Sequence, residues 1–210
     1  METLAHKMEI RHCFTSPLVL IRNREFIPEL KKYIYKQKTK GIESDIAKHL
    51  KINLVESKFD FLSHDNNSVT KIKNFLGESL ANLVNTLHQE KCIYRINFNE
   101  SWFHIGKTNS THEVHFHGNC SWCGIYFVQS GDKGSGKTVF CNPAGINYLD
   151  WGSRYLNQQM DIGIEPEDGL LVLFPSHLRH YQALYTGKED RIVVAFNASV
   201  YQEDNGNLET

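Results

Sequence analysis

Apolar residues recur with a helical period in the first part of the chain and as alternating or short unbroken runs in the second. In 26–35, Phe26, Ile27, Leu30, Tyr33 and Ile34 fall on one helical face, and Pro28 sits in the first turn, where a missing N–H costs little. In 68–89 the stripe Val69, Ile72, Phe75, Leu76, Leu80, Leu83, Val84 and Leu87 predicts a long amphipathic helix, with Ser68 as its expected cap. A short strand is expected over 16–21. From about residue 93 the character changes. The segments 93–98, 124–128, 138–141, 169–174 and 191–197 are short, rich in β-branched or aromatic residues, and bounded by Gly, Pro, Asp or Asn. Short strands with no clear helices between them argue for an antiparallel sandwich or jelly roll. The expected fold class is therefore α+β in a single domain: a helical N-terminal part over 1–92 packed on a jelly-roll core over 93–201, with a disordered tail over 202–210. The longest interruption, 142–168, has the length of a lid or substrate loop.

Composition narrows the function classes. The 210 residues are 40% hydrophobic and 22% charged, with a formal net charge of −1. That balance belongs to an ordinary globular protein. It offers no basic surplus for nucleic acid and no acidic tail. The densest basic stretch, 31–40, reads as a solvated helix end. The five cysteines are odd in number and irregular in spacing, so a disulfide framework is not expected and a reducing, cytoplasmic setting is. The apolar run 17–21 is too short for a signal peptide. No run approaches the roughly 20 residues needed to span a bilayer, so no membrane association is expected. The pattern says nothing about oligomeric state.

Three segments carry candidate chemistry. In His112-Glu113-Val114-His115-Phe116-His117, residues two apart on a strand point to the same face, so His115 and His117 could grip one metal ion. Glu113 would share that face. An isolated His-x-His is more often a polar strand edge with solvated histidines. The second segment, 170–176, is a buried run ending at Pro175-Ser176 and followed by His177-Leu178-Arg179-His180. A histidine there lies at a sheet end, where sites form; spacing alone does not choose between His177 and His180. The third is the apolar strand 191–197, opened by Arg191, whose planar fork suits a carboxylate.

Taken in order, His115 to Phe127, Phe140-Cys141-Asn142-Pro143, Gly169 to His180 and Arg191 to Asn197 resemble the Fe(II)/2-oxoglutarate-dependent oxygenase family with His-x-His and FPS-x-L-x-H signatures. The resemblance covers roughly 93–200. It implies a double-stranded β-helix with Fe(II) between His115, His117 and His180. It also implies 2-oxoglutarate as cosubstrate, its distal carboxylate on Arg191 with a hydrogen bond from Tyr126. From their places in the chain, Trp122, just beyond the metal strand, and Trp102 are candidates for core or for the wall of a substrate pocket. The implied reaction consumes O2, releases succinate and CO2, and hydroxylates a small-molecule or carrier-bound substrate. Two departures stand out. His117 occupies the place where the usual facial triad has a carboxylate, which leaves Glu113 as an alternative ligand. Val193 stands where a small hydroxyl residue often follows the arginine.

Other readings compete. A three-histidine, cupin-like dioxygenase would use the same iron without 2-oxoglutarate. A metal-binding jelly roll would have no activity. Gly131-Asp132-Lys133-Gly134-Ser135-Gly136-Lys137-Thr138 matches the P-loop spacing and would suit a nucleotide-binding protein. However, the β-rich Val139-Phe140-Cys141 follows it where a helix should begin, so a β-hairpin loop is expected. Cys120-Ser121-Trp122-Cys123 lacks the second pair that a structural zinc site needs.

Overall fold

The computed structural model describes residues 15–38, 51–88, 93–143 and 161–203. Among the described residues, nine strands and two α-helices follow in the order β1 (Val19–Arg22), α1 (Ile27–Lys38), β2 (Lys51–Glu56), α2 (Asn67–Leu87), β3 (Ile93–His115), β4 (Trp122–Gln129), β5 (Thr138–Cys141), β6 (Asp161–Ile164), β7 (Leu170–Pro175), β8 (His180–Tyr185) and β9 (Arg191–Glu203). The strands form one curled sheet in the order β1-β7-β4-β9-β3-β8-β5-β6, with β2 added beside β3. All the strand pairings are antiparallel. This is a double-stranded β-helix with two helices.

The long strand β3 makes the curl. Its first part runs beside β9, from Ile93↔Glu203 to Gly106↔Arg191. Its last part runs beside β8, from Ser110↔Tyr185 to His115↔His180. Between the two parts Gly106 leaves room for the Ser110 side chain, whose Oγ would lie 2.6 Å from a Cβ there, and Asn109 adopts the left-handed region at φ 63°.

The apolar run of β7 has no polar gaps because both of its faces are covered. Leu171 and Leu173 join the layer under the helices, with Ile72, Leu76, Leu80, Phe103, Val194 and Phe196. Leu170, Val172 and Phe174 face the inside of the curl, with Cys123, Phe127, Phe140 and Val193. Helix α2 contributes Val69, Ile72, Leu76, Leu80 and Leu83 at helical spacing. Burying each such side chain contributes about 1.5–3 kcal/mol. Leu30 and Ile34 of α1 join the same layer.

Several expectations change in detail. The cap of α2 is Asn66, whose side chain accepts from the Ser68 N–H, rather than Ser68 itself. The strand expected over 16–21 is β1, which pairs β7, whereas β2, which pairs β3, adds a strand that the sequence pattern did not mark. Strand β5 begins at Thr138, so no helix starts at Lys137-Thr138 and the P-loop reading fails. The segment before it is not a hairpin either: β4 pairs β7 and β9, whereas β5 pairs β6 and β8. It carries the chain across the curl, with Gly131, Gly134 and Gly136 at positive φ. Part of the expected lid is strand β6, and 144–160 lies outside the described residues, as does the tail from 204. Among the described residues no helix is long and apolar enough to cross a membrane.

Candidate active site

His115 ends β3 and His180 opens β8, directly opposite in register. His117 lies two residues further on, held by its backbone N–H to Ser176 O at 3.3 Å. The three side chains offer ligand atoms all within 4.8 Å of one another. His117, two residues past the end of β3, comes back to His115, and sheet pairing supplies His180. His180 therefore starts a strand rather than trailing the one before it, while His177 is exposed and bonds Ser16 Oγ.

The surroundings fit the donor set to a divalent metal. His115 Nδ1 bonds Glu113 O at 2.8 Å and His180 Nδ1 bonds Leu178 O at 3.0 Å. A carbonyl oxygen can only accept, so each Nδ1 carries the proton and each Nε2 keeps its lone pair. Burial lowers all three pKa values, His117 to about 4 and His180 to about 3. The imidazoles are therefore neutral near pH 7 and ready to ligate. Phe174 and Phe140 flank His180, with ring centroids at 4.7 and 5.7 Å.

The register shifts between His112 and His115. That irregularity reverses the expected side-chain parity. His112, not Glu113, turns inward and stacks on His115 with ring centroids 4.1 Å apart. Glu113 is exposed and stands outside the three-histidine group, so it does not serve as the alternative ligand.

Arg191 lines the same cavity and is 2% exposed. Its Nε donates to Gly136 O at 3.0 Å and its Nη1 to Gln182 Oε1 at 2.8 Å, while the guanidinium lies over Phe127 at 5.0 Å. Among the described residues no carboxylate pairs with it. Burial pushes its pKa down to about 10. A buried cation held only by neutral oxygens is poised for an anionic ligand.

Trp102 lines the cavity, its ring 5.7 Å from His117. Trp122 does not; it packs against the helix-side layer. Tyr126 is also turned away. Along β4 the cavity face is Cys123, Ile125 and Phe127, so Tyr126 packs on Phe75 and donates its hydroxyl to Asn23 O at 2.7 Å. Sequence reasoning missed His104, Thr138 and Gln182, which line the cavity with Arg191. Only the pairing of β3 and β8 shows which of their residues face inward. His104 bonds Glu56 at 2.6 Å, and burial outweighs that carboxylate in lowering its pKa. Cys120 and Cys123 are free thiols with Sγ atoms 3.9 Å apart.

Residues 100–197 match the family model described as "Putative 2OG-Fe(II) oxygenase". No curated protein matches the sequence. Among solved structures, a Pseudomonas putida prolyl-4-hydroxylase superposes with a TM-score of 0.60 at 11% identity, over 91% of this chain and 95% of its own. The non-heme alpha ketoglutarate dependent epimerase SnoN from nogalamycin biosynthesis gives 0.63 at 9% identity, over 92% and 83%. The viral collagen prolyl hydroxylase of Paramecium Bursaria Chlorella virus-1 gives 0.54 at 13%, over 86% and 94%. At these identities the superpositions speak for the fold, and the family match speaks for the chemistry. Residues 100–197, carried on a double-stranded β-helix, are thus similar to the 2OG-Fe(II) oxygenase family, whose members use Fe(II) and 2-oxoglutarate.

Proposed function

We propose that His115, His117 and His180 hold the Fe(II), that Arg191 takes the distal carboxylate of 2-oxoglutarate, and that the enzyme hydroxylates a small-molecule or carrier-bound substrate. The observation that carries this reading is the buried Arg191 guanidinium, without a carboxylate among the described residues, in the cavity lined by the three histidines. When bound, the iron supplies O2 activation coupled to conversion of 2-oxoglutarate to succinate and CO2. The chain's own part is positional. The Glu113 and Leu178 carbonyls fix the ligand tautomers, and Gly136 and Gln182 hold the guanidinium so that its Nη2 remains for a ligand. Phe140 and Phe174 help exclude water. A cytoplasmic setting is supported by the free thiols of Cys120, Cys123 and Cys141.

His117 in the carboxylate's place, with Val193 facing the cavity, favours one second reading: a three-histidine dioxygenase that binds substrate without 2-oxoglutarate. Anaerobic titration of the apoprotein with Fe(II) and then 2-oxoglutarate separates the two. A saturable visible charge-transfer band, absent in His180→Ala, supports the keto-acid reading. Iron binding without a band supports the second. Failure to bind iron refutes both.

A further inference from the structure

The cavity wall holds a second polar assembly that the metal and carboxylate sites do not use. Trp102 and His104 are two apart on β3 and both face inward. His104 is paired in register with Glu56 of β2 on one side and with Val193 of β9 on the other. Its Nε2 meets Glu56 Oε2 at 2.6 Å, and Glu56 in turn forms an ion pair with Lys51. Glu56 is 4% exposed and His104 6%. An ion pair buried this deeply is often no more stabilising than apolar side chains of the same size. Stability therefore gives little reason for the assembly, and its place in the cavity wall suggests another role.

The hydrogen-bond polarity of the assembly is fixed. The ionised Glu56 can only accept, so His104 Nε2 carries the proton. Lys51 balances the charge of Glu56, so the imidazole remains neutral. His104 Nδ1 is then a lone pair, and it has no partner among the described residues. Beside it, the indole N–H of Trp102 is buried with no acceptor among the described residues. An unmet buried donor of this kind is costly unless a ligand satisfies it. The two rings have centroids 6.3 Å apart.

We propose that His104 and Trp102 are specificity-determining residues for the primary substrate, recognising a neutral group that both gives and accepts a hydrogen bond: an amide or an alcohol. His104 Nδ1 accepts the N–H or O–H, and Trp102 Nε1–H donates to the oxygen. This rests on the metal and cosubstrate reading above. With Arg191 and a divalent ion in the same cavity a substrate ammonium is repelled. The His104 lone pair rejects a carboxylate. Glu56 is a positioning residue that sets the tautomer, with Lys51 behind it.

The test uses the Zn(II)- and 2-oxoglutarate-loaded protein, which does not turn over, and nitrogen NMR of isotope-labelled histidine. The probes are N-methylacetamide against N,N-dimethylacetamide, and isopropanol against isopropyl methyl ether. In each pair only the first has a donor. The expected result is a His104 Nδ1 resonance of the unprotonated type. It should move with at least one donor-bearing probe, which binds roughly tenfold or more tightly than its partner. The pair with the larger ratio tells amide from alcohol. His104→Phe should erase the ratio, and Trp102→Phe should weaken the favoured probe. Glu56→Gln can donate to Nε2, moving the proton to Nδ1 and inverting the preference. The proposal is overturned if Nδ1 is protonated in the wild type, if neither pair discriminates, or if no probe binds. Failure of the cosubstrate reading would show separately, as loss of the charge-transfer band without any probe present.

Discussion

Replacing Arg191 with methionine separates binding from stability. The side chain keeps its apolar stem but loses the guanidinium, two hydrogen bonds and the charge. A pKa pushed down to about 10 from a value normally above 12 means that burial works against the charged form by about 3 kcal/mol, at 1.4 kcal/mol per tenfold. Against this stand two hydrogen bonds from a charged donor, worth about 1.5 kcal/mol each. The terms nearly cancel, so the metal-free protein should change by no more than about 1 kcal/mol in denaturant unfolding. Binding of 2-oxoglutarate should suffer far more. Removing one partner of a desolvated, hydrogen-bonded charge pair costs about 2–5 kcal/mol, which weakens the dissociation constant at least roughly thirtyfold. The assay is the anaerobic Fe(II) titration, read by the charge-transfer band, beside a urea melt of the same preparation. An unchanged 2-oxoglutarate affinity would refute the assigned role. A stability loss well beyond 2 kcal/mol with affinity retained would make Arg191 a structural residue.

Other expected outcomes follow from the packing and electrostatics. Gly124→Ala places a Cβ 2.2 Å from the Phe196 ring and 3.0 Å from Leu173 Cδ2, so it should destabilise by about 1–3 kcal/mol in thermal or urea unfolding. Lys137→Ala removes only an exposed pairing with Glu165; ATP binding should be absent in both proteins, and stability should move by less than about 1 kcal/mol. His117 and His180 titrate lower in the folded apoprotein than in the unfolded chain, so between about pH 6.5 and 4 the unfolded state binds more protons. Apoprotein stability should therefore fall as pH drops through that window, as followed by urea midpoints at several pH values, and Zn(II) should oppose the fall by binding the neutral imidazoles.

The sequence alone determined the division of the chain into amphipathic helices and a β-rich part, because the stripe Val69–Ile72–Leu76–Leu80–Leu83 and the doubly covered run of β7 are local patterns. It also determined the order of His115, His117, His180 and Arg191, because these residues lie in short ordered motifs. What it missed depended on pairing. Strand β2 lacks a regular apolar alternation and is defined by its neighbour β3. Asn66 is the cap because the helix begins at Asn67, which places Ser68 inside the first turn, where its N–H needs an acceptor. The misplacements of Glu113 and Tyr126 share a cause: side-chain facing is counted from the register. The irregularity between His112 and His115 reversed it for Glu113, and the choice of which β4 face met the helices decided it for Tyr126. Only the tertiary structure brought His104 to the Lys51–Glu56 pair, since the contact of His104 with Glu56 runs between strands far apart in the chain and leaves no periodic trace in either segment.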